Sequence, residues 1–262
     1  MAASTPMSDF NKSSARIAHL IAKICHGTKK SYTYVEKKSQ KEITAYKFEC
    51  LLLGDKEGVY MCGFLKGTQQ QVNDAANKFK DGQVFKLSKI SLDTWTSTTS
   101  ISSPKAFRLN LEKTTCQHIA ANDALAQQIP LAPVPPRTVG ETAKVTTNKN
   151  QDLLAVVKAA TNKRTTRDGI DIIDAVLIDD SKAETGQFAT VLVSVWGDEK
   201  VNLIEENVGK PLAFFNLTIK MEAGNRVVNH YAEALLLAAP DSEKTEHLLA
   251  DASTLTGATN TV

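Results

Sequence analysis

The 262-residue chain contains no run approaching the roughly 18 consecutive apolar residues that a membrane-crossing helix requires, so no membrane partner is expected. Its opening, MAASTPMSDFNKSSAR, lacks an apolar stretch behind a basic start, and no secretory signal is expected. Cysteine is scarce: Cys25, Cys50, Cys62 and Cys116 are the only four. None lies two or three residues from another, and no histidine completes a zinc-ligand spacing, which argues against a structural zinc site. Free buried thiols in a reducing, intracellular compartment are the expectation. Signatures of catalysis are missing too: no Walker loop, no nucleophile elbow and no zinc helix with paired histidines. Asp171, Asp174, Asp179, Asp180, Glu205 and Glu206 form the one carboxylate group that resembles a magnesium site. Asp179 and Asp180, however, fall at a turn, where aspartate bonds its own backbone, and the two glutamates fall on a solvated helix face. The reading is of a protein that is not an enzyme and needs no cofactor or metal.

What is present is an ordinary globular composition, 42% hydrophobic and 23% charged, enough for one large domain or two small ones. The net charge of +2 hides an asymmetry. Residues 1–150 carry 21 Lys and Arg against 12 Asp and Glu, whereas residues 151–262 carry 10 against 17. A basic half suits a polyanion. The acidic second half and tail suit a protein partner.

Texture divides the chain into a flexible N-terminus (1–14), a first body (15–117), a linker (118–150), a second body (151–239) and a C-terminal tail (240–262). The linker carries Pro130, Pro133, Pro135 and Pro136, with room for a short helix near Ala120–Gln128. In the first body an apolar run (Arg16–Cys25) precedes a long basic loop (His26–Thr44). Two apolar segments, Ala45–Leu53 and Val59–Leu65, flank the turn Gly54–Gly58. Thr68 and Gln71 read as a capping box, and Val72, Ala75, Ala76 and Phe79 follow helical spacing. Strands follow from Val84 and at Phe107–Leu111, where Phe107, Leu109 and Leu111 alternate with Arg108 and Asn110 as in a half-buried strand; the Ser/Thr-rich hairpin loop Trp95–Pro104 lies between them. The second body repeats the order: Leu153–Ala160, a basic loop to Asp168, Ile170–Ile178, Phe188–Trp196, a helix through Val201, Ile204 and Val208, then Leu212–Met221 and Val227–Leu237.

Five short strands with a helix between the third and fourth is the order of the OB-fold, a small Greek-key barrel. The expected architecture is therefore all-β with short helices: two tandem OB-fold five-stranded barrels joined by a proline-containing linker. In the second body the segments DLLAVVKAA (152–160), DIIDAVLIDD (171–180), FATVLVSVWGDE (188–199) and PLAFFNLTIK (211–220) stand out. Together they resemble the DNA-binding OB domains of the large subunit of eukaryotic replication protein A. In the first body GVYMCGFLKG (58–67), GQVFKLSKISL (82–92) and AFRLNLEKTT (106–115) are similar to strands of the family's neighbouring domain. Neither the family's N-terminal protein-binding OB domain nor its C-terminal zinc-bearing one is expected within these residues, the latter because the cysteine spacing does not fit it.

The resemblance implies a single-stranded DNA-binding protein of replication, recombination or repair, located in the nucleus or at sites of DNA replication. It places stacking aromatics at Phe64 and Trp196, and a third at Trp95 in the hairpin, with Tyr60 a further candidate beside Phe64. Binding without sequence preference needs flat side chains for bases and cations for phosphates. The cations expected in the first body are Lys29, Lys30, Lys37, Lys38 and Lys41, with Tyr32 and Tyr34 interleaved, and Lys105 and Arg108 near the hairpin. In the second body they are Lys163, Arg164, Arg167 and Arg226. Two other readings stand beside this one: single-stranded RNA binding on the same platform, and an assembly protein whose barrels dock a protein.

Overall fold

In a computed structural model the chain forms two compact units, Met1–Thr96 with Ser103–Pro133 and, chiefly, Val134–Val262. The structure describes residues 4–11, 13, 18–37, 40–54, 59–94, 107–120, 123–129, 132–232, 234–240 and 242–257.

The first unit is built from β1 (Leu20–Val35), β2 (Glu42–Gly54), β3 (Val59–Gly67), α1 (Gln69–Lys78), β4 (Val84–Ser88), β5 (Leu92–Thr94), β6 (Phe107–Asn110), β7 (Thr115–Ile119) and α2 (Ala124–Gln127). Its sheet runs β5-β6-β3-β2-β1-β4-β7, with β6 parallel to β3 and every other pairing antiparallel. Period-two alternation turns Leu20, Ala22, Ile24, Phe48, Cys50, Leu52 and Met61 into one core. Thr68 and Gln71 cap α1 reciprocally, as their spacing predicts.

The second unit comprises α3 (Val139–Ala143), β8 (Lys149–Ala160), β9 (Arg164–Thr165), β10 (Asp171–Lys182), β11 (Phe188–Trp196), α4 (Asp198–Glu206), β12 (Pro211–Glu222), β13 (Asn225–His230), β14 (Leu236–Ala238) and α5 (Glu243–Gly257). β8, β10, β11, β13 and β12 form a closed ring, and β13 runs parallel to β11. The spatial order is first, second, third, fifth and fourth strand, closing back on the first, with a helix after the third. That is the OB-fold. The first unit has the same connections in a sheet that does not close.

The fourth strand bends at the same place in both units, at a residue with positive φ: Lys89 (φ 49°) in the first and Asn216 (φ 60°) in the second. At Lys89 the strand breaks in two, so that β4 pairs with β1 and β5 with β6. At Asn216 the ladder only shifts register, and the freed Asn216 N–H donates to Oδ1 of the buried Asp152 at 2.7 Å.

Four expectations are corrected. The N-terminus is not a loose end, because Met7 and Phe10 are buried in the first core, with Phe10 edge-on to Phe107. The basic loop His26–Thr44 is instead a long hairpin arm of β1 and β2, paired from Thr28–Glu49 to Val35–Glu42. Residues 118–150 hold ordered elements: the end of β7, α2, and α3 with its own capping box of Thr138 and Glu141. Val139 is fully buried in the second core, and its N–H donates to Asp179 Oδ2 at 2.7 Å. The tail contains the 15-residue α5, which buries Leu248 and Leu255 and packs on β8, β10 and β12. In both units, then, the barrel strands are followed by a strand that pairs with the first half of strand four (β7, β14) and then by a helix packed on strand one (α2, α5).

Candidate nucleic-acid interface

The face of each sheet opposite the core cluster carries the chemistry. In the first unit, register sets Lys30 opposite Lys47 and Lys47 opposite Lys66, so three lysines lie in one row across β1, β2 and β3. Facing like charges cost about 0.2–1 kcal/mol per pair. One member is offset: Lys47 Nζ lies 3.0 Å from Oε1 of the fully buried Glu49. Toward the hairpin tip, the same face presents Tyr32 and Tyr34. Their rings stack with centroids 6.1 Å apart, both more than 40% exposed, and Lys47 Nζ lies 5.9 Å from the Tyr32 ring. Lys29 points to the other face and donates to Asn73 Oδ1 at 3.1 Å, and Lys37 is exposed beyond the end of β1.

On the barrel side of the lysine row, Glu49 pairs with Phe64, and Phe64 with Asn110. Phe64 is 2% exposed and is not a bare stacking surface: the Arg108 guanidinium lies 4.0 Å from its ring centroid. Arg108 is itself 8% exposed, so it is not a solvated cation. Tyr60 is 1% exposed beside Leu53, which removes it from any accessible site. This end of the outer face is apolar, with Leu51, Leu53 and Cys62 fully buried. Lys23, opposite Leu53, reaches the Ile129 carbonyl oxygen at 2.5 Å where α2 packs on β1. Burial lowers the pKa of Lys23 and raises that of Cys62. Trp95, Lys38 and Lys105 lie outside the described residues.

In the second unit the corresponding rows read Arg164–Ile172–Trp196 and Asp174–Ser194–Asn229. Counted from the carboxylate on the second strand, Trp196 takes the place of Lys66, and Ser194 takes that of Phe64. The two aromatics assigned by resemblance are thus not equivalent. Trp196 is half-buried on the outer face, turned away from the core residues Val191, Val193 and Val195. Its Nε1–H donates to Asn229 Oδ1 at 3.2 Å, and its ring lies 6.1 Å from Tyr231, tilted by 43°. Lys220 Nζ donates to the Tyr231 hydroxyl at 3.3 Å, and Lys200 Nζ to its carbonyl oxygen at 2.5 Å. Tyr231, Lys220, Lys47 and Lys66 are site residues that sequence reasoning missed.

The cations of the second unit are largely answered within it. Arg164 grips Asp174 with both terminal nitrogens, at 2.6 and 3.2 Å, and Ser194 Oγ donates to the same carboxylate at 2.6 Å. The Arg164 hydrogen bonds hold the Asp174 carboxyl below its usual pKa. Lys163 lies 3.2 Å from Asp171, whose pKa is lowered by the Thr165 hydroxyl and then by Lys163. Arg226 donates through Nε to the Val145 carbonyl oxygen at 3.0 Å, and Arg167 is exposed.

No protein-family model and no curated protein matches the chain. Among solved structures it is similar to a replication protein A heterotrimer bound to ssDNA, at 14% identity and a TM-score of 0.49 over 95% of this chain and 55% of that one. It is also similar to p202 HIN1 in complex with 12-mer dsDNA (16%, 0.43, over 90% and 100%) and to fission yeast Pot1 with ssDNA (10%, 0.36, over 90% and 87%). The chain spans about half the length of the replication protein A chain it matches. At these identities the likeness concerns the fold.

Proposed function

We propose that this chain binds single-stranded DNA through the outer faces of its two OB units, largely without regard to sequence, and so coats and protects unwound DNA during replication, recombination or repair. The observation that carries the reading is the row Lys30–Lys47–Lys66 beside the exposed stacked pair Tyr32 and Tyr34. Neighbouring strands are about 4.8 Å apart, so the row spreads three positive charges over about 10 Å. A phosphate backbone crossing the strands relieves their mutual repulsion, and bases leaving it meet flat rings on the same face. The second unit adds Trp196 and Tyr231, while the lysine row makes the first unit the larger source of electrostatic attraction. The role is binding, without chemistry on the strand.

The test is a titration of the purified chain against a fluorescent oligothymidine, its RNA equivalent and a matching duplex, at several salt concentrations. Tight binding to the DNA strand that weakens as salt rises supports the reading through counterion release. Equal affinity for RNA would move the role to RNA handling. No binding to any of the three at low salt would overturn it in favour of protein docking.

A further inference from the structure

The Phe64–Arg108 pair combines features that ordinary core packing does not require. Phe64 lies on the outer face of β3, in the row next to the lysines. Its ring is covered by a guanidinium at 4.0 Å and has almost no access to solvent. Arg108 is more than nine-tenths buried, and among the described residues its Nε finds no hydrogen-bond partner. A guanidinium is planar and delocalised, and its five donors are fixed in one plane. It therefore covers an aromatic ring much as a nucleobase does, but leaves buried donor capacity unused when it does so.

We propose that Phe64 is the floor of a base-binding slot and that Arg108 is its removable cap. An incoming base displaces the guanidinium from the ring. The freed guanidinium turns outward, where its unused N–H meets water or a phosphate oxygen. The slot accepts any base, because every base has a face to stack. Glu49, directly opposite Phe64 and ion-paired to Lys47, keeps phosphates out of this position and holds the backbone to the lysine row. This inference rests on the proposed binding of single strands.

The Arg108 Nε–H proton reports the cap directly. Held over the Phe64 ring, it is shifted upfield by the ring current in a 15N-labelled sample, and its signal is identified by its loss in Arg108→Lys. Saturation with oligothymidine should return it to the ordinary arginine position. An upfield signal that persists in the saturated complex overturns the proposal while leaving single-strand binding intact, whereas failure of the oligonucleotide to bind at all removes the reading beneath it. A second measurement does not depend on that signal. Arg108→Lys keeps the charge but loses the flat cap, so it should bind oligothymidine about threefold or more tighter, the scale of one weakened cation–π contact. That gain should vanish in the Phe64→Leu background. A gain that survives Phe64→Leu, or a loss of affinity on Arg108→Lys with unchanged thermal unfolding, would overturn the cap.

Discussion

Lys47 faces Lys30 on one side and Lys66 on the other, yet its ammonium group turns to the buried carboxylate of Glu49, 3.0 Å away. One side chain thus answers a charge inside the unit and completes a charge row on its surface. Lys47→Ala should therefore lower stability by about 1–3 kcal/mol, because Glu49 loses its ion-pair partner where water does not reach it. Lys66→Ala should leave stability unchanged. Urea unfolding of the two variants separates these outcomes.

Lys30→Ala and Lys66→Ala should each weaken oligothymidine binding, and each should make the log–log salt slope shallower by about 0.7, the share of one phosphate on a single strand. Arg164→Ala should change the slope much less, because Asp174 already engages that guanidinium at 2.6 Å. Anisotropy titrations at four salt concentrations measure all three.

Tyr34→Ala should cost about 1–3 kcal/mol of binding free energy with little change in melting temperature, since its ring is exposed, outside the core, and packs on the neighbouring Tyr32. Trp196→Ala should cost a similar amount. In a Trp95→Phe background, Trp196 fluorescence should be quenched as oligothymidine saturates the second unit.

Asn216 and Lys89 hold positive φ where the fourth strand bends. Asn216→Val should destabilise by about 1–3 kcal/mol, because a β-branched side chain resists that conformation. Lys89→Gly should be neutral or stabilise by up to about 1 kcal/mol by relieving the same strain. Thermal unfolding of each variant is sufficient to decide.

His230 is fully buried, and burial, followed by the nearby Lys200 ammonium, pushes its pKa from 6.5 down to about 3. Its Nε2 lies 3.1 Å from the carbonyl oxygens of Phe215 and Leu235, which fixes Nε2–H as donor in the neutral ring. Below pH 6.5 the unfolded chain takes up a proton that the folded chain refuses. Stability of the second unit should therefore fall as pH drops from 6.5 toward 3, by up to about 1.4 kcal/mol per pH unit, and be insensitive to this group above 6.5. His230→Gln should flatten that slope in a pH series of urea midpoints.

The order of strands and the Thr68–Gln71 cap were legible because each is a local pattern of period or spacing. The same signature at Thr138 and Glu141 was equally local, but four nearby prolines outweighed it. The hairpin arm carries the sequence texture of a loop because both of its faces are solvated, so its alternation of Lys, Tyr, Ser and Thr has no apolar rhythm. The burial of Tyr60 and Phe64 was not legible: alternation puts both opposite the core, and only contacts remote in the chain close over that face, as where Lys23 meets Ile129, 106 residues away. The lysine row was invisible for a related reason. Its members are 17 and 19 positions apart, and only strand register brings them abreast.

The strand and helix that follow the barrel in each unit make the repeated piece of this chain larger than five strands and a helix. Each copy carries its own helix on strand one and its own partner for the outer edge of strand four. A chain assembled this way lengthens or shortens by whole copies. A cut just after His230 strips the second unit of β14 and α5 and bares the apolar side chains beneath them.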